Sequence, residues 1–209
     1  MQTIVLPADK KDSIETALTL FRDGEIVAFP TDTVYGLGAN PFQASGIIKL
    51  FEAKGRDSNK AIAILIGSLE QIPLITDHMT DMAIRLCEVF WPGGLTVIVP
   101  RKSTLPELIS NTDRIGIRIP NHPIALEILK AFGPLATTSA NLSGKSNTQS
   151  AMDVYTQLNT RIPLILDGGK CQGGIPSTVV DCSGAEPVIL REGPISADAI
   201  NKVLAKQQA

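Results

Sequence analysis

Residues 28–38, A-F-P-T-D-T-V-Y-G-L-G, constrain the fold more than any other stretch of this chain. The apolar run 26–29 reads as a buried strand. It stops at Pro30 in a cluster of two hydroxyls, a carboxylate, a phenol and two glycines. Strands that end this way often present polar groups at the mouth of a pocket, because loops on a rigid scaffold carry function. The residues alone leave two readings open. The segment is one wall of a site, or it is a strand and turn in which Gly36 and Gly38 supply unusual backbone angles.

Similar apolar runs recur at 3–6, 61–66, 95–99, 115–119, 135–138, 163–166, 177–181 and 187–191, the last two close enough to form a hairpin. Between them lie segments with the 3.6-residue period of amphipathic helices. These are 12–23 (opened by a capping-box-like Asp12 and Glu15, closed by Gly24), 43–53, 68–75, 80–90, Pro123–Phe132, Ala151–Leu158 and 196–205. A short helical turn is expected around 106–109. Loose alternation of strands and helices predicts an α/β fold with a mixed sheet. No internal repeat or long linker interrupts it, so one domain over 1–209 is expected, its core at about 10–200.

Composition limits the function classes. With 44% hydrophobic and 19% charged residues the chain is of ordinary globular type, and its net charge of −2 gives no general nucleic-acid footprint. Cys87, Cys171 and Cys182 have no C-x-x-C spacing and read as reduced thiols. The start lacks the plan of a signal peptide, and no apolar run approaches membrane-spanning length. A soluble cytoplasmic protein with no membrane partner is expected.

The strand ends carry the chemistry. T-D-T-V-Y-G, K-G-R with Lys60, G-G-L-T, R-I-G-I-R, S-A-N-L-S-G, P-S-T and L-R-E-G combine hydroxyls, amides and cations suited to phosphates and a carboxylate. Neither common nucleotide motif, G-x-x-x-x-G-K-[ST] or G-x-G-x-x-G, occurs. A covalent nucleophile has no support: His78 and His122 read as surface or cap residues, and Ser139 and Ser143 lack an elbow motif. Each cluster also has a plain reading. Lys54, Arg56 and Lys60 suit a solvated loop, Arg118 an outward-facing strand position, Ser139, Asn141 and Ser143 turns or caps, and Trp91 packing.

P-T-D-T-V-Y-G-L-G, K-G-R, W-P-G-G-L-T, I-G-I-R-I-P-N-H-P, T-S-A-N-L-S-G, P-S-T-V-V-D and L-R-E-G-P-I stand in one order over about 12–200. In this the chain resembles the YrdC/Sua5 family in its short, single-domain form, and S-A-N with K-G-R sets it with the synthase branch rather than the YciO-like one. The resemblance implies a twisted mixed sheet flanked by helices around a large concave cavity. It also implies an L-threonylcarbamoyladenylate synthase, a nucleotidyltransferase. Such an enzyme joins L-threonine, bicarbonate and ATP with release of pyrophosphate, the first step towards N6-threonylcarbamoyladenosine in tRNA.

Carried over, the resemblance puts Thr33, Arg118, Ser139 and Ser177 at L-threonine. It puts Lys54, Arg56, Lys60, Arg114, Asn141, Ser143, Gln149 and Arg191 at ATP. It implies Mg2+ arriving with ATP and held by no protein ligand, no organic cofactor, a threonylcarbamoyl transferase complex that uses the product, and weak tRNA binding. Asp57, the pair Ala61–Ile62 and Leu65 stand where the family usually has proline, proline–leucine and, in its long form, histidine. The competing readings are a non-catalytic RNA-binding or RNA-maturation module, or another adenylate-forming or carbamoylating enzyme on the same fold. The net charge and scarcity of aromatic residues weigh against the first.

Overall fold

Strand alternation splits the apolar residues into two layers. In β2 (Val27–Phe29), Val27 and Phe29 join one buried cluster and Ala28 the other; in β8 (Leu164–Asp167), Leu164 and Leu166 separate from Ile165 in the same way. A sheet with two apolar faces needs helices on both. In the computed structural model, which describes residues 2–57 and 60–205, α1 (Lys11–Arg22) and α4 (Pro123–Phe132) cover one face. Phe21 and Phe132 meet there with ring centroids 5.3 Å apart. α2 (Ala44–Lys54), α3 (Asp81–Phe90) and α5 (Ala151–Leu158) supply the other cluster, and α6 (Ala197–Ala205) packs on α3.

The remaining strands are β1 (Ile4–Pro7), β3 (Gly36–Ala39), β4 (Ala63–Leu65), β5 (Leu95–Pro100), β6 (Arg114–Arg118), β7 (Leu135–Ser139), β9 (Thr178–Asp181) and β10 (Val188–Arg191). They form one sheet in the order β1-β8-β2-β3-β7-β4-β6-β5-β9-β10. The β1–β8, β2–β8, β4–β6 and β5–β9 pairs are parallel and the other five antiparallel, so the sheet is mixed, as the alternation predicts. Strands β9 and β10 pair as the expected hairpin.

Four local expectations are corrected. Gly36 and Gly38 lie inside strand β3 rather than a turn, and neither has positive φ. They are glycines for space: a Cβ at Gly36 would stand 2.9 Å from Thr137 Cγ2, and one at Gly38 2.8 Å from Phe29 Cε1. Helix α1 starts one residue earlier than expected, and its N-cap, Lys10, makes no side-chain cap bond, so Asp12 and Glu15 form no capping box. Segment 68–75 is a 3-10 turn, Leu69–Leu74, containing Pro73, whose missing N–H denies an α-helix its bond. The run 61–66 yields only the three-residue strand β4. Part of the basic loop 53–60, Ser58 and Asn59, lies outside the described residues.

Candidate active site

The middle strands place small or polar residues on one face. Gly36, Ala63, Thr96, Gly116, Arg118, Thr137 and Ser139 line a cavity of about 320 Å3, while their neighbours Leu37, Ile64, Val97, Ile117 and Ala136 belong to the core behind them. Gly116 keeps the floor low, since a Cβ there would stand 2.9 Å from Thr96 Cγ2. The walls come from loops at strand ends: 31–35 after β2, Arg56 and Ala61 before β4, and Pro176 and Ser177 before β9. Tyr35 ties two of these loops together by donating to Gly169 O at 2.8 Å and accepting from Gly168 N–H at 3.2 Å.

Arg118 anchors one end. It sits at the last position of β6, in register beside Leu65 of β4, and is buried. Its Nε donates to Gly93 O at 2.8 Å, Nη1 to Thr33 Oγ1 at 3.0 Å, and Nη2 to Asp32 Oδ1 in an ion pair. Alternation suggested an outward-facing arginine; the face it turns to is the cavity, which hides it from solvent. Its pKa is lowered chiefly by burial, against which the Asp32 carboxylate acts.

Two more cations, Arg56 and Arg191, stand on the same cavity. Half-buried Arg56 donates through Nη2 to Ala61 O at 2.9 Å and through Nη1 to Thr138 Oγ1 at 3.4 Å, while its buried Nε has no partner. Arg191, at the rim, donates from Nε to Ser177 O at 2.9 Å and from Nη2 to Ser177 Oγ at 3.3 Å. Ser177 Oγ also shares a hydrogen bond of 2.8 Å with Thr96 Oγ1. Burial lowers the pKa of both arginines, and Arg56 is lowered further by its neighbour Arg191. Like charges gathered round a cavity are favourable only when an anion joins them.

Six of the residues named from the sequence, Thr33, Arg56, Arg118, Ser139, Ser177 and Arg191, thus line one cavity. The other six lie behind it or away from it. Lys54 is buried at the end of α2, where Nζ donates to the carbonyls of Ser139 and Asn141; burial, then Arg56, lowers its pKa to about 7. Asn141 is buried and donates from Nδ2 to Leu142 O and Lys145 O, leaving Oδ1 without a partner. The backbone N–H of Ser143 donates to Lys54 O, and Gln149 packs on Gly174. Lys60 is exposed, and Arg114 is an exposed residue paired with Asp181 at 2.9 Å.

Thr31, Thr96 and Thr138 also line the cavity without having been singled out for it, and Asp32 supplies the carboxylate for Arg118. The order T-D-T, with Thr96 second in its strand, was the signal available for three of the four. His122 takes the expected cap position of α4, though its side chain makes no cap bond. Trp91 is a packing residue whose Nε1 donates to Leu95 O.

A family profile for Sua5, YciO and YrdC, described as "Telomere recombination", matches residues 19–193. The chain is 41% identical to threonylcarbamoyl-AMP synthase of Bacillus subtilis over 194 residues, which is 91% of the chain and 56% of that protein. It is 36% identical to a putative threonylcarbamoyl-AMP synthase of Mycobacterium tuberculosis over 97% of the chain and 94% of the relative. Among solved structures, Pyrococcus abyssi Sua5 complexed with L-threonine superposes with a TM-score of 0.94 at 37% identity, covering 97% of this chain and 61% of that one. The chain therefore spans little more than half the length of the Bacillus and Pyrococcus proteins.

Proposed function

Because the chain belongs to the Sua5/YciO/YrdC family, we propose that it is a threonylcarbamoyl-AMP synthase, a nucleotidyltransferase acting on L-threonine, bicarbonate and ATP. One observation carries this reading. Three guanidinium groups, Arg56, Arg118 and Arg191, converge with hydroxyls on one cavity, an arrangement suited to a substrate carrying a carboxylate and phosphates.

Three of the five N–H donors of Arg118 are committed to protein groups, so two are left for the threonine carboxylate. Thr33, Ser139 and Ser177 surround the rest of the amino acid. Arg56 and Arg191 neutralise the triphosphate, which brings its own Mg2+. Lys54 and Asn141 hold the S-A-N turn that forms the nucleotide wall, with Lys60, Arg114, Ser143 and Gln149 further out along the nucleotide. The threonine amine condenses with bicarbonate, losing water, to give a carbamate. A carbamate oxygen then attacks the α-phosphorus, the bond to the bridging oxygen breaks, and pyrophosphate leaves. The chain supplies positioning and charge neutralisation, worth roughly 7–11 kcal/mol for well-oriented reactants, so no strong general base is required. The product is an activated carbamoyl group, consumed by a threonylcarbamoyl transferase complex acting on tRNA.

Pyrophosphate release by the purified protein tests the reading. Omission of either L-threonine or bicarbonate is expected to abolish release; release that ignores both omissions overturns it.

A further inference from the structure

The hydroxyls on the cavity wall are wired in one direction. Val34 O can only accept, so the single hydrogen of Thr31 Oγ1 points to it, at 2.7 Å. Thr31 Oγ1 must then accept in its other contacts, from the Thr33 backbone N–H at 3.2 Å and across the 3.1 Å separation from Thr33 Oγ1. The donor in that last contact is therefore the Thr33 hydroxyl. Arg118, which has only donors, gives from Nη1 to the same Thr33 Oγ1. Thr33 has thus spent its hydrogen and one lone pair, and a single lone pair remains. All three side chains line the cavity and are buried, at 3%, 3% and 5% exposure for Thr31, Thr33 and Arg118.

We propose that Thr31 is a positioning residue that holds the Thr33 hydroxyl as an acceptor towards the substrate, so that this wall selects a hydrogen-bond donor on the carbon next to a carboxylate. The inference rests on the threonine-binding reading of the cavity. Arg118 offers N–H groups to the carboxylate, and Thr33 offers a lone pair to the neighbouring substituent, which in an α-amino acid is the ammonium group. A Thr33 hydroxyl free to turn would instead serve either kind of partner, giving its hydrogen to a group that can only accept and its lone pair to one that donates, so the selection would be lost. The chain runs from Arg118 through Thr33 and Thr31 to a backbone carbonyl, so it orients the amine and takes no proton from it.

The test uses two threonine analogues, with the amine replaced by hydroxyl or by fluorine, as inhibitors competing with L-threonine in pyrophosphate release. The two groups are close in size, but fluorine cannot donate. The hydroxyl analogue is expected to bind about tenfold more tightly than the fluoro analogue. In Thr31→Val that ratio falls towards one and KM for L-threonine rises about tenfold with KM for ATP unchanged. Thr31→Ser keeps the hydroxyl and restores both. Equal inhibition of the wild type by the two analogues overturns the inference, as does an unchanged ratio in Thr31→Val or no rescue by Thr31→Ser. If Thr31→Val does not fold, Thr31→Ala, which also removes the hydroxyl, is read in its place with the same expected and overturning results. If the wild type shows no threonine-dependent release, the proposed activity has failed, and calorimetric binding of the two analogues then decides the present inference separately.

Discussion

Arg118 is held on three sides before any substrate arrives, by Gly93, Thr33 and Asp32. A substrate carboxylate therefore meets a guanidinium that needs little further ordering. Arg118→Ala is expected to raise KM for L-threonine about ten- to a hundredfold and KM for ATP far less, because charge-assisted hydrogen bonds of about 1.5–3 kcal/mol are lost on one substrate only. Steady-state kinetics with each substrate varied in turn checks this; equal effects contradict the assignment. Lys54 makes a second prediction, on stability. Its folded pKa of about 7 lies below the ordinary 10.5, so between these values the unfolded chain binds more protons and stability rises with pH. Below pH 7 the cost of burying the charged amine is fully present. Above about pH 9 the trend reverses, since burial raises the pKa of Cys87, Cys182 and Tyr35, whose folded forms keep protons that the unfolded chain releases. Urea unfolding between pH 7 and 9 is expected to show a rising stability that flattens in Lys54→Met.

Strand β3 shows how an element can be hidden in plain sequence. Gly-Leu-Gly-Ala has no β-branched residue, and its two glycines read as turn formers. Their purpose is visible only in three dimensions, where Thr137 and Phe29 from neighbouring strands take the space of the missing side chains. Gly36→Ala and Gly38→Ala are each expected to cost about 1–3 kcal/mol through overpacking, measured as a lower urea midpoint at unchanged slope. Gly55 differs. It ends α2 at φ +56 with open space around the position of a Cβ, so Gly55→Ala carries only a left-handed backbone cost of about 1–2 kcal/mol. The amphipathic helices were legible, because Ile14, Ala17, Leu18 and Phe21 follow the period that buries them together. The failed capping box at Asp12 was a matter of two residues in the position of the N-cap, Lys10 in place of Asp12, which periodicity does not fix.

At the scale of the molecule, the order of short motifs was legible and their meeting in space was not. Residues 33, 56, 118, 139, 177 and 191 come from separate elements, and only the sheet order, with β7, β4, β6 and β5 side by side, brings them to one cavity. No local pattern announces that Asp32 pairs with Arg118, or that Lys54 turns away from the cavity to hold the carbonyls of Ser139 and Asn141. Local spacing carries the chemistry of each cluster; long-range packing decides which clusters face each other. The central claim, that this cavity joins threonine, bicarbonate and ATP, is tested most directly by the fate of labelled bicarbonate. Incubated with L-threonine and ATP, the protein is expected to place the label in a product that also contains threonine and AMP, in equal amount to the pyrophosphate released. Pyrophosphate or ADP formed without label in an adenylate would contradict it.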